Sequence, residues 1–311
     1  MNPIICIAGP TASGKTALAV ELALALDGEV VSCDSMQVYK RMDIGTAKPT
    51  PEERRGIPHH MIDVAEPWED YSVSRYCAQA APIVEDIVAR GKTAIIAGGT
   101  GLYLDSLIRG NDFAPFPSTG VREQLEAQAD REGIAVLFAQ LQQIDPAAAA
   151  RLPLSDRKRI VRALEVYLET GETITAHNLR TQQQPPRFAP VWLGLDFESR
   201  AALYSRIDAR VGQMLEAGLL EEIRSLLAAG IPERCTAMQA IGYKEFTAAL
   251  EGRCTIDQAA DLVRQSSRRY AKRQLTWFRR NREIHWLVRR PGQTDAEILA
   301  QARQLLQEND R

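Results

Sequence analysis

The sequence of 311 residues lacks the features of membrane-spanning and disulfide-stabilised proteins. No run approaches the ~18 consecutive apolar residues of a transmembrane helix, and the first residues lack the basic flank of a signal peptide. Its five cysteines are scattered without a Cys-x-x-Cys pair, which predicts neither a disulfide framework nor a structural zinc site. Hydrophobic residues make up 45% and charged residues 25%, as in ordinary soluble proteins. We therefore expect a folded protein of the reducing cytoplasm that makes no membrane contact.

The net charge of −2 hides a strongly basic segment near the C-terminus. Residues 264–290, called the basic segment below, contain ten basic residues against one acid, Glu283. Such a concentration is typical of a nucleic-acid contact surface, although a solvated helix face with scattered ion pairs gives the same pattern. The ten are Arg264, Arg268, Arg269, Lys272, Arg273, Arg279, Arg280, Arg282, Arg289 and Arg290.

Apolar runs alternate with helical patterns in the first third of the chain. Strands are predicted at 3–8, 29–33 and 93–97, and helices after the first strand and at 73–89. This alternation predicts an α/β fold with a parallel sheet flanked by helices.

A helical stretch interrupts this pattern between two segments that are rich in proline and polar residues, 111–120 and 182–190. Beyond it, residues 191–197 resemble a strand again, and the rest is mostly helical before the short apolar run 284–288. We predict an all-helical insertion at 113–185. The core would then consist of 1–112 and 186–311, the latter with the basic helical part.

Residues 9–16 match the phosphate-binding pattern G-x-x-x-x-G-K-[ST], with an apolar strand before them and a helix after them. The glycines let backbone N–H groups wrap phosphate oxygens at the helix N-terminus, and Lys15 adds a positive charge. Thr16 is placed to bind Mg²⁺ through its hydroxyl. The loop consists of Gly9, Pro10, Thr11, Ala12, Ser13, Gly14, Lys15 and Thr16.

A phosphate loop alone predicts a bound polyphosphate, and ATP or GTP is the default ligand. Asp34 follows the second predicted strand, which places it at the sheet edge where the phosphate loop opens. There it could bind metal, orient an acceptor hydroxyl, accept a proton from an amine, or simply cap the following helix.

Eight motifs in series resemble those of bacterial tRNA dimethylallyltransferases, in the right order and over nearly the whole chain. They are residues 9–16, 34–39, 43–49, 58–63, 98–103, 159–166, 241–244 and 270–274. The resemblance implies a P-loop fold and transfer of a dimethylallyl group from dimethylallyl pyrophosphate to N6 of adenine 37 in the tRNA anticodon loop.

In that family the phosphate loop holds the pyrophosphate of the donor. The resemblance implies that Thr11 and Lys15 take part in catalysis, that Arg210 also faces the pyrophosphate, and that Mg²⁺ is the cofactor. Asp34 would accept the proton of N6–H as the new bond forms. Loop amides, Lys15, Mg²⁺ and arginine would stabilise the charge that develops on the leaving pyrophosphate.

The target base must leave the anticodon loop and enter a channel. The amide of Gln37 suits an adenine edge because it both donates and accepts. Lys158 and Arg162 lie four residues apart in the insertion 113–185, so one helix face would present both. On this resemblance the insertion binds tRNA and forms, with the basic segment, a two-sided clamp around a tRNA arm. The residues implied in tRNA binding are Asp34, Ser35, Met36, Gln37, Thr100, Arg122, Lys158, Arg159, Ile160, Val161, Arg162, Gln239, Ala240, Ile241, Gly242, Tyr243 and Lys244.

Two residue pairs allow a functional and a structural interpretation. His59 and His60 are adjacent, but no carboxylate-rich neighbour accompanies them, so a structural role is favoured over a metal site. Trp277 and Phe278 could stack on a base, but anchoring of their helix to the core is favoured.

Three other functions compete with the family assignment. An adenylate isopentenyltransferase would need neither the helical insertion nor the basic segment. A small-molecule P-loop kinase would leave the basic segment without a role. An RNA-binding protein with a vestigial phosphate loop would not need Lys15, Thr16 and Asp34. We expect a monomer that takes dimethylallyl pyrophosphate and a tRNA anticodon stem-loop.

Overall fold

The computed structural model describes residues 4–111 and 119–309 and divides the chain into two compact units. One unit comprises Met1–Ile108 and Phe188–Arg311, and the other Arg109–Arg187. The predicted insertion, 113–185, begins outside the described residues.

Six parallel strands form one sheet within the described residues, in the order β3-β2-β4-β1-β5-β6. The strands are β1 Ile4–Ala8, β2 Gly28–Ser32, β3 His59–His60, β4 Thr93–Gly98, β5 Val191–Phe197 and β6 His285–Arg289. The α/β class and the parallel sheet are confirmed. The prediction for β2 was one residue late, and β3 was missed because two residues give no period.

Helices cover both faces of the sheet, which explains why the central strands β1 and β4 are almost continuously apolar and buried. They are α1 Lys15–Ala25, α2 Pro51–Arg54, α3 Val73–Ala89, α4 Gly101–Arg109, α10 Arg200–Glu216, α11 Leu219–Ala228, α12 Tyr243–Leu250, α13 Ile256–Phe278 and α14 Asp295–Asn309, with a 3₁₀ turn at Ala237–Gln239. One hydrophobic cluster includes α1, α14 and one sheet face, and a larger one includes α3, α11 and α13.

The unit Arg109–Arg187 is helical in its described part and has a hydrophobic core of its own. Its helices are α5 Val121–Glu132, α6 Ile134–Ile144, α7 Pro146–Ala149, α8 Arg157–Thr170 and α9 Ile174–Gln183. Leu125, Leu137, Leu141, Ile160 and Leu164 are buried together in this core.

The topology determines where ligands bind. Parallel strands end at one edge of the sheet, and the loops that follow β1, β2 and β4 meet there. No helix in the described ranges combines the length and the apolar character that crossing a membrane requires.

Candidate active site

The phosphate loop connects β1 to α1, as its sequence predicts. Gly14 caps the helix with φ of 95°, a left-handed conformation that glycine adopts without steric cost. The Ser13 hydroxyl is buried and has no hydrogen-bond partner among the described residues. Lys15 donates a hydrogen bond from Nζ to the carbonyl of Pro10 at 2.7 Å. The unpaired hydroxyl, the ammonium group and the helix N-terminus suit an anionic ligand.

Helix α10 brings two arginines to the phosphate loop. Arg210 donates from Nη1 to Thr11 Oγ1 at 3.3 Å, and Arg206 donates from Nε to the carbonyl of Ala12 at 3.0 Å. Arg206 was not among the predicted site residues, and it lies one turn before Arg210 on the same helix face.

The surroundings of the phosphate loop lower the pKa values of two neighbouring cations, Lys15 and Arg210. Burial and, to a smaller extent, the neighbouring Arg210 lower the pKa of Lys15 to about 7, and Asp34 opposes this change. Burial likewise lowers the pKa of Arg210, and Asp34 opposes that change too. An anionic ligand at this loop would therefore favour the charged form of both residues.

Asp34 lies two residues beyond β2, at the predicted sheet edge. Its Oδ1 accepts hydrogen bonds from the backbone N–H groups of Met36 at 2.8 Å and Gln37 at 3.3 Å. The residues after Asp34 form a turn and not a helix, so the alternative that Asp34 caps a helix is wrong. Its side chain instead stabilises this turn. Both bonds fall on Oδ1, and Oδ2 accepts no hydrogen bond from the part of the chain that the structure describes, so it can accept one from a ligand.

A single cavity of about 940 Å³ is lined by the phosphate loop, Asp34, Arg206 and Arg210. Tyr270 and Gln274, on the inner face of α13, complete the lining near Asp34. Burial raises the pKa of Tyr270 to about 12, so its hydroxyl stays protonated. Both residues belong to the motif 270–274, but no role was predicted for either of them.

The loop after β2 also lines the cavity, and Gln37 holds it. The Gln37 amide donates from Nε2 to the carbonyls of Thr46 at 3.3 Å and Ala47 at 3.1 Å, and its Oε1 accepts from Ser32 Oγ at 2.9 Å. These bonds engage both ends of the amide, so an adenine edge would have to compete with them. Ser35 and Thr100 are paired with each other, Ser35 N–H donating to Thr100 Oγ1 at 3.1 Å.

The residues predicted at 239–244 divide into exposed and buried positions. Tyr243 is fully buried, and its hydroxyl donates to Glu222 Oε1 at 2.6 Å. The prediction that Tyr243 contacts tRNA is therefore corrected for its side chain, which has a structural role. Gly242 is also buried, whereas Gln239 and Lys244 are exposed and Ala240 and Ile241 are half-buried.

Helix α8 shows the same division within its own unit. Ile160 and Val161 are buried in that unit's core, so their side chains are unavailable for direct tRNA contact. Lys158 and Arg159 are exposed, and Arg159 pairs with Asp156 at 2.9 Å. Arg122 and Arg162 both pair with Glu165, at 2.8 and 2.9 Å.

The basic segment is divided between paired arginines and an exposed row. Arg268 pairs with Asp208 at 2.8 Å and Arg279 with Asp196 at 2.9 Å. Arg269, Lys272 and Arg273 lie exposed on the outer side of α13, three and four residues apart. The inner side of the same helix carries Tyr270 and Gln274 and lines the cavity.

The two ambiguous residue pairs have structural contacts. His59 Nδ1 lies 2.8 Å from the Ile57 carbonyl and His60 Nε2 lies 2.8 Å from Glu29 Oε2. The described residues contain no cluster of three or more His, Cys, Asp or Glu that could hold a metal. Phe278 is buried, and Trp277 donates from Nε1 to Asp105 at 2.8 Å, so both anchor α13.

Comparison with known proteins gives consistent results over nearly the whole chain. The family described as IPP transferase matches residues 37–281, and one described as Isopentenyl transferase matches residues 2–70. The tRNA dimethylallyltransferase of Carboxydothermus hydrogenoformans is 49% identical, covering 91% of both chains.

Solved structures agree with these sequence matches. The tRNA isopentenylpyrophosphate transferase of Bacillus halodurans superposes with a TM-score of 0.73 at 40% identity, covering 98% of this chain and 96% of that one. A eukaryotic dimethylallyltransferase described as acting on tRNA reaches a TM-score of 0.84 at 30% identity, covering 100% of this chain and 79% of that one.

Proposed function

Because this chain belongs to the IPP transferase family, we propose that it transfers a dimethylallyl group from dimethylallyl pyrophosphate to N6 of adenine 37 in the tRNA anticodon loop. Pyrophosphate is the second product. One observation carries the proposal: the phosphate loop, Arg210 and Asp34 line the same cavity. A pyrophosphate donor and a proton acceptor for the attacking amine thus come together.

The phosphate loop and α10 bind the donor's pyrophosphate. Loop N–H groups and Ser13 bind its oxygens, while Lys15 and Arg210 oppose its charge. As the allylic C–O bond breaks, negative charge grows on the leaving group, and these preplaced donors stabilise it without reorganising. Thr11, which already contacts Arg210, positions that arginine at the leaving group.

Mg²⁺ fits the oxygen chemistry of this end of the cavity. Thr16 lies exposed in the first turn of α1, where its hydroxyl can bind a cation held mainly by donor phosphate oxygens. When bound, Mg²⁺ neutralises charge on the departing pyrophosphate. The protein supplies few ligands in such sites because Mg²⁺ keeps several waters.

Asp34 acts on the acceptor. The lone pair of adenine N6 is delocalised into the ring, so N6 is a weak nucleophile until it begins to lose a proton. Two backbone N–H groups fix Oδ1 of Asp34, which orients the carboxylate, and Oδ2 accepts the N6 proton as the C–N bond forms.

The tRNA binds to two basic surfaces in this proposal. One is the exposed row Arg269, Lys272 and Arg273 on α13, whose inner face lines the cavity. The other is the start of α8 in the unit Arg109–Arg187, where Lys158 and Arg159 are exposed. We also propose that the protein acts as a monomer in the cytoplasm.

The decisive experiment offers the purified protein two acceptors. With Mg²⁺ and radiolabelled dimethylallyl pyrophosphate, we expect label on bulk tRNA and none on AMP. Label on AMP alone would identify an adenylate isopentenyltransferase. ATP hydrolysis coupled to turnover, without prenyl transfer, would identify a kinase-like activity.

A further inference from the structure

One carboxylate organises residues 43–48, a segment that lines the cavity and is called the cavity wall below. Glu222 Oε2 accepts hydrogen bonds from the backbone N–H groups of Asp43 and Ile44, each at 2.7 Å. Its Oε1 accepts from the Gly45 N–H at 3.1 Å and from the Tyr243 hydroxyl at 2.6 Å. Three consecutive N–H groups are thereby fixed by a side chain of α11, far along the sequence.

The ring of Tyr243 packs against the same segment. A Cβ on Gly45 would lie 2.5 Å from the Tyr243 ring, so the wall packs on the ring too closely for any other residue. Burial raises the pKa of Tyr243 well above its ordinary value, and Glu222 adds to this. The phenol therefore stays protonated and continues to donate to Glu222.

The other end of the wall is equally fixed. Gln37 holds the carbonyls of Thr46 and Ala47, and the buried Lys48 ammonium contacts Asp43 at 2.7 Å and the carbonyl of Tyr39 at 2.6 Å. These bonds hold backbone carbonyls and the charged groups of Lys48 and Asp43. They do not involve the apolar side chains of the wall, Ile44 and Ala47. The backbone of the wall is thus held rigidly, and Ile44 and Ala47 are its apolar side chains.

The apolar side chains lie where a donor's hydrocarbon would extend. Arg210 marks the pyrophosphate end of α10, and Met214, four residues later, lies about 6 Å further along the helix axis. Met214 lines the cavity together with Ile44 and Ala47 of the wall. Ile44, Ala47 and Met214 thus give the cavity an apolar patch beyond its phosphate loop, at about the distance that a short prenyl chain spans.

We propose that Glu222, together with Tyr243, is a positioning residue for the hydrocarbon-binding part of the donor site. It holds Ile44 and Ala47 against the prenyl group and leaves pyrophosphate binding to the phosphate loop. The inference rests on the proposed function and deepens it. Glu222 does not touch the donor, because it acts through the backbone of the cavity wall.

The test compares two ligands that differ only in the prenyl group. Dissociation constants for dimethylallyl pyrophosphate and inorganic pyrophosphate are measured with Mg²⁺ by calorimetry. In Glu222→Gln the new NH₂ group faces backbone donors, so we expect the affinity for dimethylallyl pyrophosphate to fall about 10- to 100-fold. Pyrophosphate affinity should change less than about twofold, because the loop contacts are intact.

The neighbouring residue provides a matched control. Glu221 is exposed on the same helix and pairs with Arg224 at 3.2 Å, so Glu221→Gln should change neither constant. Tyr243→Phe keeps the ring under Gly45, removes one donor and provides a milder variant should Glu222→Gln fail to fold. Ile44→Ala shortens the apolar contact itself and should weaken only the prenylated ligand, by about tenfold.

The outcomes separate this inference from the proposed function. Equal weakening of both ligands in Glu222→Gln or Tyr243→Phe would show a general structural role and overturn the inference, as would unchanged constants in both. The wild-type protein tests the proposed function independently, because prenyl transfer to tRNA is required by that function whatever the Glu222 and Tyr243 variants do to the two dissociation constants.

Discussion

Gln274 Oε1 accepts a hydrogen bond from the backbone N–H of Thr11 at 2.8 Å. The same amide donates from Nε2 to the carbonyl of Gly99 at 2.9 Å, so one buried side chain joins the phosphate loop to the turn after β4. Since Gln274 belongs to α13, the helix that lines the cavity and carries exposed cations also fixes the phosphate loop. In the proposed function, one rigid element thereby spans the donor and acceptor sites.

Replacing Gln274 by leucine tests this connection. Leucine keeps the volume but leaves the Thr11 N–H and the buried Gly99 carbonyl without a partner, which costs about 1–3 kcal/mol of unfolding free energy. We also expect weaker binding of pyrophosphate, because the loop loses its support. Denaturant unfolding and calorimetry measure the two effects. Gln265→Leu, at an exposed position of the same helix, is the control, and equal behaviour of the two variants would refute the role.

Replacing Asp34 by asparagine should affect the chemical step. The amide oxygen can still accept hydrogen bonds from Met36 and Gln37, but the side chain cannot take a full proton at neutral pH. Loss of a general base typically costs about 10²- to 10⁴-fold in rate. Single-turnover kinetics on the preformed ternary complex isolate this step. A near-normal rate, or a loss confined to donor affinity, would exclude Asp34 as the base; Asp257→Asn at an exposed helix start is the control.

The pKa of Lys15 predicts a pH dependence of donor binding. In the free protein, burial and then Arg210 lower this pKa to about 7, and a bound pyrophosphate would raise it. Binding above pH 7 therefore takes up a proton, and the dissociation constant should rise up to about tenfold per pH unit until the pKa of the complex is reached. The donor's phosphates, with a last pKa of about 6, are already ionised there.

Calorimetry at pH 8 in buffers of different ionisation enthalpy measures that proton uptake. Lys15→Arg keeps a permanent positive charge, so its affinity should be lower but nearly independent of pH between 7 and 9. A dissociation constant of the unmodified protein that stays flat over this range, with no proton uptake, would contradict the prediction.

The exposed row on α13 should control tRNA affinity without affecting the donor. Arg269→Ala and Lys272→Ala each remove a cation, so the dependence of log affinity on log salt should fall by about one unit per lost phosphate contact. Arg303→Ala, an exposed arginine on α14, is the control. Filter binding with tRNA at several salt concentrations measures the slopes. Unchanged slopes would mean that the row is an ordinary solvated surface.

Arg268 is a different case because Asp208 pairs with it at 2.8 Å. Arg268→Ala breaks this pair on the surface between α10 and α13, so part of its effect will be on stability. Exposed pairs are worth about 0–1 kcal/mol, so a small change in unfolding free energy is expected. A tRNA effect as large as that of Arg269→Ala would show that Arg268 exchanges its partner for a phosphate.

The sequence by itself determined the parts of this protein whose chemistry is local. The phosphate loop needs glycines, Lys15 and Thr16 within eight consecutive positions, and the strands β1 and β5 are apolar runs next to turn residues. Helix α3 was predicted with the bounds Val73–Ala89 that the structure has, because its apolar residues recur with the helical period. The position of Asp34 also followed, since a strand end lies at a known edge of a parallel sheet.

Only the tertiary structure decided which polar residues serve the cavity and which serve the fold. Tyr243 and Gln37 have side chains that suit RNA, yet their hydrogen bonds go to Glu222 and to the carbonyls of the cavity wall. Glu222 itself gave no signal in an ordinary amphipathic helix. Hydrogen bonds between residues far apart in sequence depend on how α11, α12 and the loop after β2 pack, and no local pattern encodes that packing.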